Sequence, residues 1–136
     1  MLAHARSANP GVSFVEADLA ALPFPDHHFH GVLAWYSIIH TAPHALPDLF
    51  RELRRVLRPG GLLLLGYQAG VGERIRTGAY GHDIELHAYL HSTPYVEAAL
   101  RSVDMLVDIK LDRAPRRQER LPQGFVLARR PSALTA

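Results

Sequence analysis

Apolar positions along the chain follow three rhythms. From Leu46 they recur at three- and four-residue spacing, through Leu49, Phe50, Leu53, Val56 and Leu57. Arg51, Glu52, Arg54, Arg55 and Arg58 fill the opposite positions. This period predicts an amphipathic helix with one buried face. Pro47 suits its first turn, where a missing N–H costs nothing. The basic residues crowd its C-terminal turn and suit the helix dipole. Pro59 cannot continue the helix, and Gly60 or Gly61 can take the left-handed conformation that closes it. A second helix is predicted over "TPYVEAALRSV", residues 93–103, with Thr93 as its cap and Pro94 at its first position. Its apolar face is Tyr95, Val96, Ala99, Leu100 and Val103.

The second rhythm is the unbroken apolar run. "GVLAWYS" (31–37) and "LLLLGYQ" (62–68) predict strands covered on both faces. "VSFVEADL" (12–19) predicts a shorter strand ending at Asp18. The third rhythm is alternation. "MLVDIKLDR" (105–113) predicts a strand with Leu106 inward and Val107 outward, and "GFVLARR" (124–130) a final strand. Residues 1–8 read as the end of a helix closed by Asn9-Pro10-Gly11. Pro23, Pro25 and Gly31 mark "PFPDHHFHG" as a loop. "APRRQERLPQ" (114–123) is a loop too long for a tight hairpin, and residues 69–92 form a partly irregular insertion.

The elements therefore alternate: strand, loop, strand, helix, strand, insertion, helix and two strands. That order predicts an α/β fold, an open and mostly parallel sheet with helices on both faces. No helix separates the last two strands, so the C-terminal strand pair is expected to be antiparallel. Ligands in such sheets sit at the carboxyl ends of the strands.

Composition narrows the picture further. The 136 residues make one domain, 1–136, or part of one. With 48% hydrophobic and 21% charged residues the chain can build a core. Purely apolar runs such as Leu62–Leu65 fall far short of the roughly 20 residues that span a membrane. The first residues show no apolar core followed by a cleavage site, so no secretory signal is expected. The absence of cysteine excludes disulfides, zinc–thiolate sites and a cysteine nucleophile. A cytoplasmic location is expected. All but one of the fifteen basic residues are arginine, Lys110 being the exception, a usage that reads as codon bias. A formal charge of +2 gives no support to a nucleic-acid partner.

In this layout the words "VSFVEADLAALPFPDHHFHGVLAWYSIIHTAPHALPDLFRELRRVLRPGGLLLLG", "TPYVEAALRSVDMLVDIKL" and "GFVLARR" resemble the class I S-adenosylmethionine-dependent methyltransferases of small molecules. The resemblance covers nearly the whole chain outside the insertion. It implies a Rossmann-like sheet of order 3-2-1-4-5-7-6, with residues 12–18, 31–37 and 62–68 as the family's third, fourth and fifth strands. It also implies S-adenosylmethionine as cofactor and a small-molecule methyl acceptor as partner.

Two family features have no counterpart in this sequence. One is the glycine-rich loop after the first strand, where only glycine lets backbone approach the cofactor. "GVGER" (70–74) lacks that spacing and follows the fifth strand. The other is an acidic residue ending the second strand. The chain therefore reads as an N-terminally truncated domain lacking the family's strands 1 and 2. Strand 3 is then expected to pair with strand 4, or a homodimer to cover the exposed edges, or the fragment to be unstable alone. A non-catalytic homologue acting as a binding or pairing module is the alternative to an enzyme.

Carried onto this sequence, the resemblance makes Asp18 and Leu19 the adenine-recognition pair; Asp18 can equally cap the turn that follows it. Trp35 and Tyr36, at the end of the fourth strand, would face the cofactor's sulfonium, a cation that attracts aromatic faces; Trp35 can equally be core. His40 is the candidate general base, or else a cap of the following helix. Tyr67, Tyr80 and His82 belong to a strand end and insertion that would cover the substrate. His27, His28 and His30 form a cluster without metal-site context, and the pairs His40/His44 and His87/His91 lack a third ligand, so no metal is expected.

Overall fold

A computed structural model describes residues 2–76 and 86–132. In chain order the elements are α1 (Leu2–Ala8), β1 (Phe29–Trp35), α2 (Leu46–Val56), β2 (Leu57–Gln68), β3 (Gly72–Arg76), β4 (Leu86–Leu90), α3 (Thr93–Ser102), β5 (Leu106–Arg113) and β6 (Gln123–Arg129). Two short 3-10 turns, Ile38–His40 and Pro43–Ala45, join β1 to α2. The main sheet has the order β1-β2-β6-β5; β1 and β2 run parallel, and β6 runs antiparallel to both of its neighbours. This is the 4-5-7-6 part of the expected order, with its antiparallel end.

The helices pack on one face of that sheet. Leu46, Leu49, Phe50, Leu53 and Val56 of α2 are buried, as their spacing requires, together with Val96, Ala99 and Leu100 of α3. They meet Ala34, Leu63, Leu65, Tyr67, Val126 and Ala128 from the sheet. Strand alternation sends the neighbouring side chains to the other face, where Leu33 (63% exposed), Trp35, Leu62, Leu64, Ile109 and Leu111 are open to solvent. The expected cover of helices on both faces is thus seen on one face among the described residues. α1 buries no side chain and gives the second face no cover.

Three local expectations are corrected. Residues 13–17 form no strand, and Val12 and Val15 are exposed. Asp18 makes only an isolated bridge to Ala21. An extended segment needs a ladder partner, and this one does not pair with β1, which is a sheet edge among the described residues. The parallel part of the sheet is consequently a single pairing. Next, α2 ends at Val56 rather than at the glycines. Arg58 precedes proline and is pushed to extended backbone, and Leu57 is already extended (φ −81°, ψ 142°). Pro59-Gly60-Gly61 then forms a bulge inside β2, because Phe29 pairs with Leu57 but Gly31 pairs with Leu62. Gly60 supplies the positive φ of 79° that the bulge needs. Finally, Val107 packs against the core and Leu106 is exposed, reversing the expected phase. Met105 is buried ahead of the strand, and a register shift between Val107 and Ile109 resets the alternation.

The bulge is pinned from the far end of the chain. The Gly60 N–H donates to the Arg130 carbonyl, and the Arg130 N–H to that of Gly61, both at 2.9 Å. The Arg130 guanidinium donates to the carbonyls of Arg54 and Leu57 at 2.8 Å each, satisfying oxygens at the end of α2. At the other helix, Ser92 rather than Thr93 is the cap, its Oγ accepting from the Tyr95 N–H at 3.2 Å. Thr93 is released for other bonds. The insertion is more regular than expected, since β3 and β4 pair as an antiparallel ribbon.

Candidate functional site

The loop before β1 is held onto α2 by a charge network. Glu52 accepts from the Leu22 N–H at 2.6 Å and is paired with Arg55 at 2.7 Å. Arg55 also donates to the carbonyls of Phe24 and Leu22 and to Asp26. The Arg55 hydrogen bonds hold the Glu52 carboxyl below its ordinary range. These bonds set residues 17–20 beside the turn that follows β1. A cavity of about 520 Å³ opens between them, within the usual size of ligand pockets. Ala17, Asp18, Leu19 and Ala20 form one wall; Ser37, His40 and Thr41 form another, with Ala45, Asp48 and Leu49 of the following turn and helix.

Of the expected site residues, Asp18, Leu19 and His40 are brought together here. Asp18 spends one carboxylate oxygen on the Ala20 N–H at 2.9 Å, so it caps its turn while its side chain stays exposed at the cavity. Leu19 is partly buried against the core. His40 is exposed and bonded through Nδ1 to the His87 carbonyl at 3.0 Å.

Trp35 and Tyr36 stand elsewhere. Trp35, Gly66 and Phe125 are register partners on three adjacent strands. The indole lies over Gly66 and stacks on Phe125 at 5.4 Å between ring centroids. A Cβ on Gly66 would fall 2.7 Å from the indole, so the glycine is there for space. Trp35, 51% exposed, covers the open sheet face and is not core. Tyr36 has a left-handed backbone (φ 55°), unusual for an aromatic residue, which turns the chain sharply out of β1. Its hydroxyl donates to Gln123 Oε1 at 2.5 Å, and burial pushes its phenol pKa up. Neither residue lines the cavity.

Tyr67, expected in a lid, is fully buried on the helix-covered face. Its hydroxyl bonds Thr93 Oγ1 at 2.7 Å, and Thr93 in turn donates to Asp112. Burial pushes Tyr67 up to about 12. Period-two alternation from Leu63 and Leu65 sends position 67 inward, which rules it out as a covering residue. Tyr80 and His82 lie outside the described residues. His28 stacks on Phe24 and meets Phe29 edge-on, a local ring cluster.

Sequence reasoning missed Thr41 and Asp48 as cavity residues, whereas Ser37 lies in the segment after β1 that the resemblance pointed to. Asp48 was legible in principle, since the helical period leaves it off the apolar face of α2. It also missed His91, which is buried and donates from Nε2 to the Ile38 carbonyl at 3.0 Å. Burial holds the His91 imidazole below its ordinary pKa, so the neutral ring is favoured.

Comparison with known proteins shows what the chain resembles. Residues 1–61 match a family model described as a methyltransferase domain. An S-adenosylmethionine-dependent methyltransferase from Mesorhizobium loti shares the fold with a TM-score of 0.73 at 18% identity, covering 96% of this chain and 76% of that one. The fold is thus that of solved S-adenosylmethionine-dependent methyltransferases, and the first 61 residues carry the match to a methyltransferase domain.

Two curated relatives and one ligand-bound structure are informative. A sterol 24-C-methyltransferase of Gibberella zeae is 39% identical over 72 residues, which are 53% of this chain and 17% of that protein. A ubiquinone/menaquinone biosynthesis C-methyltransferase of Pseudomonas paraeruginosa is 40% identical over 60 residues, 44% of this chain and 23% of that protein. The aligned stretches thus span only about a fifth of these relatives. The 1,6-didemethyltoxoflavin-N1-methyltransferase of Burkholderia thailandensis, solved with bound 1,6-didemethyltoxoflavin and S-adenosylhomocysteine, has a TM-score of 0.70 at 19% identity, covering 96% of this chain and 56% of that one. No helix among the described residues is long and apolar enough to cross a membrane.

Proposed function

We propose that this chain takes part in methyl transfer from S-adenosylmethionine to a small-molecule acceptor, at the cavity between residues 17–20 and the turn after β1. The observation that carries this reading is the meeting of Asp18, Leu19 and His40 on one cavity. The donor set fits the cofactor's adenine end. The Asp18 oxygen not used in the turn can accept from an exocyclic amine, and Leu19 offers an apolar wall. When bound, S-adenosylmethionine supplies an electrophilic methyl group on a sulfonium.

The chain's own part is to position the acceptor, exclude water and move a proton. His40 is the proposed general base: Nε2 takes the proton of an acceptor hydroxyl or amine as that atom attacks. The two curated relatives named above are C-methyltransferases, and the Burkholderia thailandensis enzyme is an N-methyltransferase.

Isothermal titration with S-adenosylmethionine and S-adenosylhomocysteine tests the reading. Binding is expected, weakened about ten- to a hundredfold by Asp18→Asn, the range for a hydrogen bond to a charged group. No heat and no thermal shift at millimolar ligand would refute it. A second reading, a non-catalytic homologue that pairs with another chain, is supported by the β1 edge and the apolar open face, both uncovered among the described residues. Concentration-dependent dimerisation without cofactor binding would favour it.

A further inference from the structure

The turn that carries His40 is clasped twice, once by β4 and once by the residue that follows it. His40 lies at the end of the 3-10 turn Ile38–His40, and β4 runs beside that turn. The first clasp is the bond from His40 Nδ1 to the His87 carbonyl at 3.0 Å. The second, from the residue after β4, is the bond from His91 Nε2 to the Ile38 carbonyl at 3.0 Å.

A carbonyl oxygen only accepts. In the first clasp, therefore, Nδ1 of His40 must carry the hydrogen. A neutral imidazole has one N–H, so Nε2 keeps its lone pair. His40 lines the cavity and is otherwise exposed, and its basic nitrogen is the one this contact leaves unbonded. The same logic makes His91 an Nε2–H donor.

β4 is itself held in place at three points. It pairs with β3 from Gly72↔Leu90 to Arg76↔Leu86. Glu73 and His87, diagonal neighbours across that ribbon, pair through Oε1 and Nδ1. At the base, the Gly70 N–H donates to the His91 carbonyl at 3.2 Å and the His91 N–H to that of Gln68 at 3.1 Å, tying the ribbon to the end of β2.

We propose that the β3–β4 ribbon is the positioning element for His40: the His87 carbonyl holds it as the Nδ1–H tautomer with Nε2 as the base, and Glu73 and His91 are positioning residues that keep β4 against the turn. The catalytic meaning of this device rests on the proposed role of His40; the tautomer itself does not.

The test reads the tautomer directly. Long-range proton–nitrogen NMR of the full chain, labelled with ¹⁵N-histidine and assigned with His40→Gln, is recorded where the imidazoles are neutral. Nδ1–H is expected as the major form of His40. In Glu73→Ala and His91→Leu it is expected to become the minor form, with the rest of the spectrum preserved. Glu73→Gln and His91→Gln, which retain a donor or acceptor at the contact, are expected to restore it. An Nε2–H tautomer in the unmodified chain would overturn the proposal, as would an unchanged tautomer in folded Glu73→Ala and His91→Leu. Titration of the same samples with S-adenosylhomocysteine separates the two readings. Normal binding with an Nε2–H His40 sinks the positioning device alone. An Nδ1–H His40 without binding supports the device and sinks the cofactor reading.

Discussion

Gly124 has one job, to leave room for Tyr67, and replacing it with alanine measures how rigid that part of the core is. A Cβ at position 124 would lie 2.4 Å from Cε2 and 2.7 Å from Cζ of Tyr67, and 3.0 Å from Thr93 Oγ1. Carbon atoms in good contact sit about 3.5–4.0 Å apart, so the ring would have to move by about 1 Å. It has nowhere to go. Tyr67 is fully buried, and its hydroxyl is tied to Thr93, which is tied to Asp112. Overpacking of this kind costs about 3 kcal/mol, and breaking the hydroxyl chain adds to it. For a chain of this size that is roughly a 12 °C fall in Tm. Urea unfolding and thermal melts followed by circular dichroism read both numbers. The mechanism also demands coupling: in a Tyr67→Leu background, Gly124→Ala should cost less than about 1 kcal/mol. A Gly124→Ala protein within 0.5 kcal/mol of the parent would refute this account of the packing.

Two further predictions test other parts of the scaffold. Arg130→Met should destabilise by about 2 kcal/mol, because it leaves the carbonyls of Arg54 and Leu57 without their charged donor; denaturant midpoints with an unchanged m-value would check this. Glu119 is held at about 2, against an ordinary 4.5, chiefly by its hydrogen bonds with Arg113 and also by the Arg116 N–H. A depressed carboxyl pKa contributes stability that is fully present above 4.5 and lost as pH falls through about 2. The stability difference between the parent and Glu119→Gln should therefore shrink across that window. A Glu119 carboxyl that titrates at the ordinary value by NMR would contradict it.

Much of this architecture was legible because it is local. The helical period of Leu46, Leu49, Phe50, Leu53 and Val56 specifies a single buried face whatever surrounds it, and all five are buried. The proline near the start of each long helix, and the antiparallel order of the last strands, follow from backbone rules that act over a few residues. The cavity lining was legible in part. His40 follows a strand of the sheet, at whose carboxyl edge cavities form, whereas Asp18 and Leu19 were singled out by the resemblance and reach the cavity without a strand before them.

What depended on partners far away in sequence could not be read. An unbroken run such as "LLLLGYQ" says that a strand is apolar but not which of its faces is covered. Only the seating of α2 and α3 on one side made Leu63, Leu65 and Tyr67 core and left Leu62 and Leu64 open. That choice removed Tyr67 from the expected lid. Likewise residues 12–18 have the composition of a strand but find no neighbour, and a strand exists only as half of a pair. Arg130 capping α2, Trp35 reaching over Gly66 to Phe125, and His40 bonded to His87 each join residues that nothing local connects. By itself the sequence determined the periods and the breaks; tertiary structure decided which faces are covered and what His40 bonds to, because both depend on what packs opposite.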